Sequence, residues 1–167
     1  MPVEKEKLTL LLQAAMSAPS AANFQPWEFI VVTETGILDQ LREKLWAGRY
    51  NAPAMIVVCG DTQAVKNPVV SYWPQDCAAA TENILLGAVG LGLGTVWIGA
   101  YPNPGVTAPV AKILNLPEHI VPLSLVWVGY PAEEKPARTQ YDVHKIHWQL
   151  YEPRKKRARL KNPKYLK

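Results

Sequence analysis

The chain has 167 residues, 49% of them hydrophobic, and a formal net charge of +4. That length sets one domain as the expectation, and no apolar run approaches the roughly 20 residues that span a bilayer as a helix. Two cysteines, Cys59 and Cys77, make no disulfide framework, and the charged start Met1 to Lys7 lacks a signal-peptide core, so the expected compartment is the cytoplasm.

Leu8, Leu11, Leu12, Ala15 and Met16 recur at helical spacing and predict an amphipathic helix over 4–17, ended by Pro19. Trp27 to Val32 is rich in β-formers and predicts a strand. Ile37, Leu38, Leu41, Leu45 and Trp46 mark a second helix. Ala54 to Cys59 is apolar throughout, as a strand buried on both faces would be. A long helix is expected from about Pro74 to Leu91. Its small residues (Ala78, Ala79, Ala80, Gly87, Ala88, Gly90) imply that another backbone packs close to it. Thr95 to Ile98 predicts a strand, Val106 to Leu114 a helix, and Val121 to Val128 a last core strand. Helices and strands therefore alternate around one sheet, in a single domain over 1–150.

Residues 151–167 read as a basic extension. They hold eight Lys/Arg against Glu152, a charge of +7, which leaves −3 for the rest of the chain. With no glycine and only Tyr151 and Tyr165 as aromatics, the tail lacks an interleaved stacking platform for bases. It reads as a solvated or partner-wrapping extension in preference to a nucleic-acid arm.

Side-chain chemistry is sparse. Gly90-Leu91-Gly92-Leu93-Gly94 misses the G-x-G-x-x-G spacing, and it closes a helix instead of opening one, so a helix C-cap is the better reading. The three histidines make no cluster of metal-site spacing. Cys77 lies beside Asp76, which raises a thiol pKa. No nucleophile motif or phosphate loop occurs, and an enzyme without such groups commonly takes its reactivity from an organic cofactor. One connector stands apart: Ser17-Ala18-Pro19-Ser20-Ala21-Ala22-Asn23-Phe24-Gln25-Pro26 carries more hydrogen-bonding groups than a helix-to-strand turn needs.

"APSAANFQPWEFIVV" (18–32) resembles the signature of the nitroreductase family of FMN-dependent oxidoreductases. "WPQDCAAATENILLGAVGLGLGTVWIGAYP" (73–102) resembles that family's long central helix and following strand. "PLSLVWVGYPAEEKPARTQYDVHKIHWQLY" (122–151) resembles its last core strand and C-terminal arm. The resemblance implies an α+β fold, a mixed sheet flanked by helices in an interlocked homodimer, with two FMN sites at the dimer interface. It implies ping-pong chemistry in which NAD(P)H reduces the flavin and a nitroaromatic, quinone or similar acceptor takes the electrons.

By the same resemblance, Pro19, Ser20 and Ala21 offer backbone groups and small size at the flavin, and Asn23 an amide that donates and accepts. Gln25 and Trp27 fix the loop and pack beneath it. Backbone N–H groups at Ile98, Gly99 and Ala100 face the flavin's N5 and O4 edge, and Arg138 meets the phosphate. The sequence departs from the family pattern twice. It begins at "PVEKEKL", the part after the family's Arg-Arg-Ser-x-Arg segment, and it has Gln140 where the arm commonly has a second basic residue. These departures keep a second reading open: a dimer of the same fold that binds FMN weakly or not at all and serves as a scaffold.

Overall fold

The structure is a computed structural model that describes residues 1–45, 49–64, 71–133, 136 and 139–153. Helix α1 (Lys5–Met16) buries Leu8, Leu11 and Ala15, the stripe its spacing predicts. Strand β1 (Trp27–Val32) has the expected bounds. Helix α2 (Thr35–Lys44) begins ahead of Ile37 because the Glu34 carboxylate accepts the Gly36 N–H at 3.2 Å and caps the first turn. Trp46, expected on this helix, lies outside the described residues.

Strand β2 (Ala54–Asp61) is buried from Ala54 to Gly60, as a wholly apolar run in a central strand should be. Helix α3 (Trp73–Gly90) buries Trp73, Cys77, Ala80, Ile84 and Ala88. It ends in a Schellman motif: Gly92 has φ 69°, its N–H donates to Val89 O at 3.2 Å, and the Leu93 N–H donates to Ala88 O at 2.8 Å. The glycine cluster is thus a helix cap. Strand β3 (Gly94–Gly99), helix α4 (Pro104–Ile113) and strand β4 (Ile120–Gly129) complete the alternation. Asn103 caps α4 by accepting the Gly105 N–H at 2.9 Å.

The sheet order is β1-β2-β4-β3, with every neighbouring pair antiparallel. The resemblance implies a mixed sheet, and the described strands do not form one. β2 and β3 do run in the same direction, as a helical crossover requires, but β4 inserts between them and pairs antiparallel with both. The α+β class holds.

Pleating splits the core into two layers. Ala54, Ile56 and Val58 of β2, with Val126 and Val128 of β4, pack against α1 and α3. Met55, Val57, Leu125 and Trp127 pack on the other face against Leu38 and Leu41 of α2 and Val106 and Val110 of α4. Each fully buried side chain of this size contributes about 1.5–3 kcal/mol, so the double-sided β2–β4 ladder is the stable floor of the fold. Part of the small-residue face of α3 is filled from within the chain. A Cβ at Gly87 would lie 3.4 Å from Leu11 Cδ2 and 3.5 Å from Ala14 Cβ, and Asn83 Nδ2 donates to Ala14 O at 2.9 Å.

The chain forms two compact units, Met1–Ala132 and Glu133–Lys167. In the second, Asp142 caps a short 3-10 turn (Val143–Lys145) by accepting the His144 N–H at 2.9 Å. The His147 and Tyr151 rings lie 4.5 Å apart, and His147 Nδ1 accepts the Glu152 N–H at 3.2 Å.

Candidate functional site

The connector after α1 is held in an uncommon backbone conformation. Ala22, Asn23 and Gln25 have φ of 49°, 57° and 50°. None is glycine, and each such residue costs about 1–3 kcal/mol, so its surroundings must impose it. Ser20 Oγ accepts the Gln25 N–H at 3.0 Å, Ser20 O accepts the Asn23 N–H at 3.1 Å, and Ala21 O accepts the Phe24 N–H at 3.0 Å. The Ala21 N–H leaves the loop altogether and donates to Asp76 Oδ1 at 2.9 Å. Downstream, Pro26 O accepts the Asp61 N–H at 2.7 Å and Trp27 is buried, so the loop is pinned at both ends.

Asp76 lies in the first turn of α3 and is only 6% exposed. The positive end of the helix dipole favours a carboxylate there. At the start of the same turn, Trp73 packs on the backbone of Gly60 and stacks edge-on against Tyr101, with ring centroids 4.8 Å apart. Tyr101 follows the end of β3. The first turn of α3 therefore meets both the loop and the segment that carries Gly99.

β3 is an edge strand. The Ala100 N–H donates to Leu123 O at 2.9 Å. Alternation along an antiparallel ladder then turns the Ile98 N–H toward β4 and the Gly99 N–H to the open edge. Gly99 is exposed, and a Cβ on it would meet nothing within 4 Å. Its partner across the ladder, Ser124, is fully buried, with Oγ 2.9 Å from Thr81 Oγ1. Thr81 donates to Cys77 O at 2.7 Å, so the one proton of Ser124 goes to Thr81. This pair ties the middle of α3 to the strand beside Gly99.

The sequence-derived site residues fall into three groups. Pro19, Ser20, Ala21 and Asn23 share the pinned loop, with Pro19 and Asn23 exposed. Ile98, Gly99 and Ala100 share the end of β3, but the three donors expected there reduce to one. The Ala100 N–H is already paired, Ile98 packs into the α2–α4 side of the core, and Gly99 keeps the outward N–H. Arg138 lies outside the described residues. Asp76 was read from the sequence only as a neighbour of Cys77, and its part in holding the loop was missed. A signal existed: Asp76, Ala80, Ile84 and Ala88 follow one another at intervals of four and are all buried.

Both cysteines are buried and form no disulfide. Burial, then Asp76 and Cys59, push the Cys77 thiol up to about 12, and burial, then Glu28, does the same for Cys59. Among the described residues no group of three His, Cys, Asp or Glu could hold a metal ion, and no helix is long and apolar enough to cross a membrane.

The sequence profile of the nitroreductase family matches residues 1–54 and 48–130. The chain belongs to the nitroreductase family. A protein of Archaeoglobus fulgidus, provisionally named an NADH dehydrogenase/NAD(P)H nitroreductase, is 44% identical over 150 residues, covering 87% of this chain and 86% of its own. A crystal structure from Parabacteroides distasonis with the same provisional name has a TM-score of 0.85 at 43% identity, covering 90% of this chain and 89% of that one. An FMN-dependent nitroreductase from Clostridium difficile has a TM-score of 0.81 at 33% identity, covering 90% and 91%.

Proposed function

We propose that the protein is an FMN-dependent NAD(P)H oxidoreductase that passes electrons to a nitroaromatic, quinone or similar acceptor, working as a cytoplasmic homodimer. The observation that carries the proposal is Gly99: an edge-strand residue with an outward N–H and no side chain, where the chain would otherwise place a Cβ. The residues present fit the group. Open space over Gly99 would let a planar ring approach the backbone, and the Gly99 N–H would donate to its polar edge. Family membership and the FMN dependence named for the Clostridium difficile relative support the choice of cofactor.

FMN, when bound, supplies the two-electron chemistry. The protein supplies shape and fixed dipoles. The Gly99 N–H would stabilise negative charge at the ligand edge without a titrating side chain, and it would need no reorganisation because the ladder to Ser124 fixes its direction. Ser20 to Asn23 border the ligand with small side chains and backbone groups, and the Asn23 amide donates or accepts at that border. Arg138, with the phosphate as its partner, remains the expectation drawn from the sequence.

The test is steady-state oxidation of NADH and NADPH by FMN-loaded protein with a quinone and with a nitroaromatic acceptor. The expected result is parallel double-reciprocal lines as the acceptor is varied, from a species of twice the 18.6 kDa chain mass in light scattering. Intersecting lines, or no turnover with either acceptor class, would contradict it.

A further inference from the structure

We propose that Asp76 is the positioning residue that holds the cofactor-bordering loop in its binding conformation, through the bond from the Ala21 N–H to its carboxylate. The inference deepens the FMN reading and rests on it. The loop has three non-glycine residues in left-handed conformation within four positions, so it would not keep this shape unaided. Its internal bonds, Ser20 Oγ to the Gln25 N–H and Ser20 O to the Asn23 N–H, close the turn on itself but do not attach it to the rest of the fold. Pro26 O on the Asp61 N–H anchors its far end, and the bond from Ala21 to Asp76, at 2.9 Å, attaches the turn itself to α3.

The carboxylate is itself fixed. It is 6% exposed, in the first turn of a helix whose next turns are locked by Cys77 Sγ on Cys59 O and by the Thr81–Ser124 pair. Ser124 is the ladder partner of Gly99. Asp76 therefore sets the loop against the same helix that is tied to the strand beside the Gly99 donor. The two halves of the site share one rigid reference.

The experiment uses the full chain with Asp76→Ala and Asp76→Asn, titrated with FMN by fluorescence quenching. Hydrogen exchange is followed at the Ala21 amide in each protein before FMN is added. Asp76→Asn keeps a carbonyl oxygen on Ala21 and should hold FMN affinity and Ala21 exchange within about threefold of wild type; Asp76→Ala removes the acceptor and should weaken FMN binding and speed Ala21 exchange, each by about tenfold or more. Should Asp76→Ala fail to fold, the comparison of Asp76→Asn with wild type stands, and a tenfold loss in it overturns the proposal. Wild-type affinity in Asp76→Ala, or a loss in that variant without faster Ala21 exchange, also overturns it. If the wild-type chain binds no FMN, the functional reading fails, and the exchange data alone still report whether Asp76 holds the loop.

Discussion

Gly60 offers a direct test of how the first turn of α3 is seated. A Cβ built on Gly60 would fall 2.8 Å from Cδ2 and 2.9 Å from Cζ3 of Trp73, and closer still to Cε3. The obstacle is a rigid ring, buried at 6% exposure and wedged between β2 and Tyr101, so it has no easy rotamer to escape into. Gly60→Ala should therefore cost about 1–3 kcal/mol, the usual range for forcing an extra carbon into a packed core. At about 2–4 °C per kcal/mol for a chain of this size, the melting temperature should fall by about 2–12 °C. Circular dichroism melts of the apoprotein would measure it. Because the penalty is a clash with one ring, it should vanish in a Trp73→Ala background, where Gly60→Ala has nothing to strike. A melting temperature unchanged by Gly60→Ala, or an equal penalty with and without Trp73, would contradict this packing of Trp73 on Gly60.

Three further outcomes follow from the same geometry. Gly99→Val adds a side chain into open space, so it should leave the apoprotein melting temperature within about 2 °C while weakening FMN binding by about tenfold or more; a parallel loss of stability would contradict the open-edge placement. With both thiols pushed up to about 12, about one in 10,000 is ionised at pH 8, so Cys59 and Cys77 should react with a thiol reagent only after denaturation. Tyr130→Phe removes the phenol that donates to the Glu4 carboxylate and accepts from the Lys7 ammonium at 2.9 Å. That phenol lowers the Glu4 pKa below its ordinary 4.5 and raises the Lys7 pKa above its ordinary 10.5. The stability gap between wild type and Tyr130→Phe should be flat through neutral pH. It should narrow below 4.5, as Glu4 takes up a proton, and above 10.5, as Lys7 loses one. A gap unchanged at both extremes would contradict the assignment.

The elements were legible because each carries its own period. Leu8, Leu11 and Ala15 mark a helical face, and the unbroken apolar run from Ala54 marks a strand with both faces covered. Strand order was not legible, since nothing local to β4 says that it inserts between β2 and β3. In the loop, Ala22 and Gln25 adopt left-handed backbone that their side chains do not favour. Tertiary contacts impose it, above all a carboxylate 55 positions away in sequence. Which of Ile98, Gly99 and Ala100 turns its N–H to the open edge was not legible. The ladder's alternation, which needs the register with β4, selects Gly99 from its neighbours Ile98 and Ala100.

In the proposed function the chain seats FMN against Gly99 and the Pro19–Asn23 loop. Fluorescence titration of the purified apoprotein with FMN tests it most directly. The expected result is saturable quenching at one FMN per chain, abolished or greatly weakened in Gly99→Val. A flavin signal that stays that of free FMN at every protein concentration would contradict it.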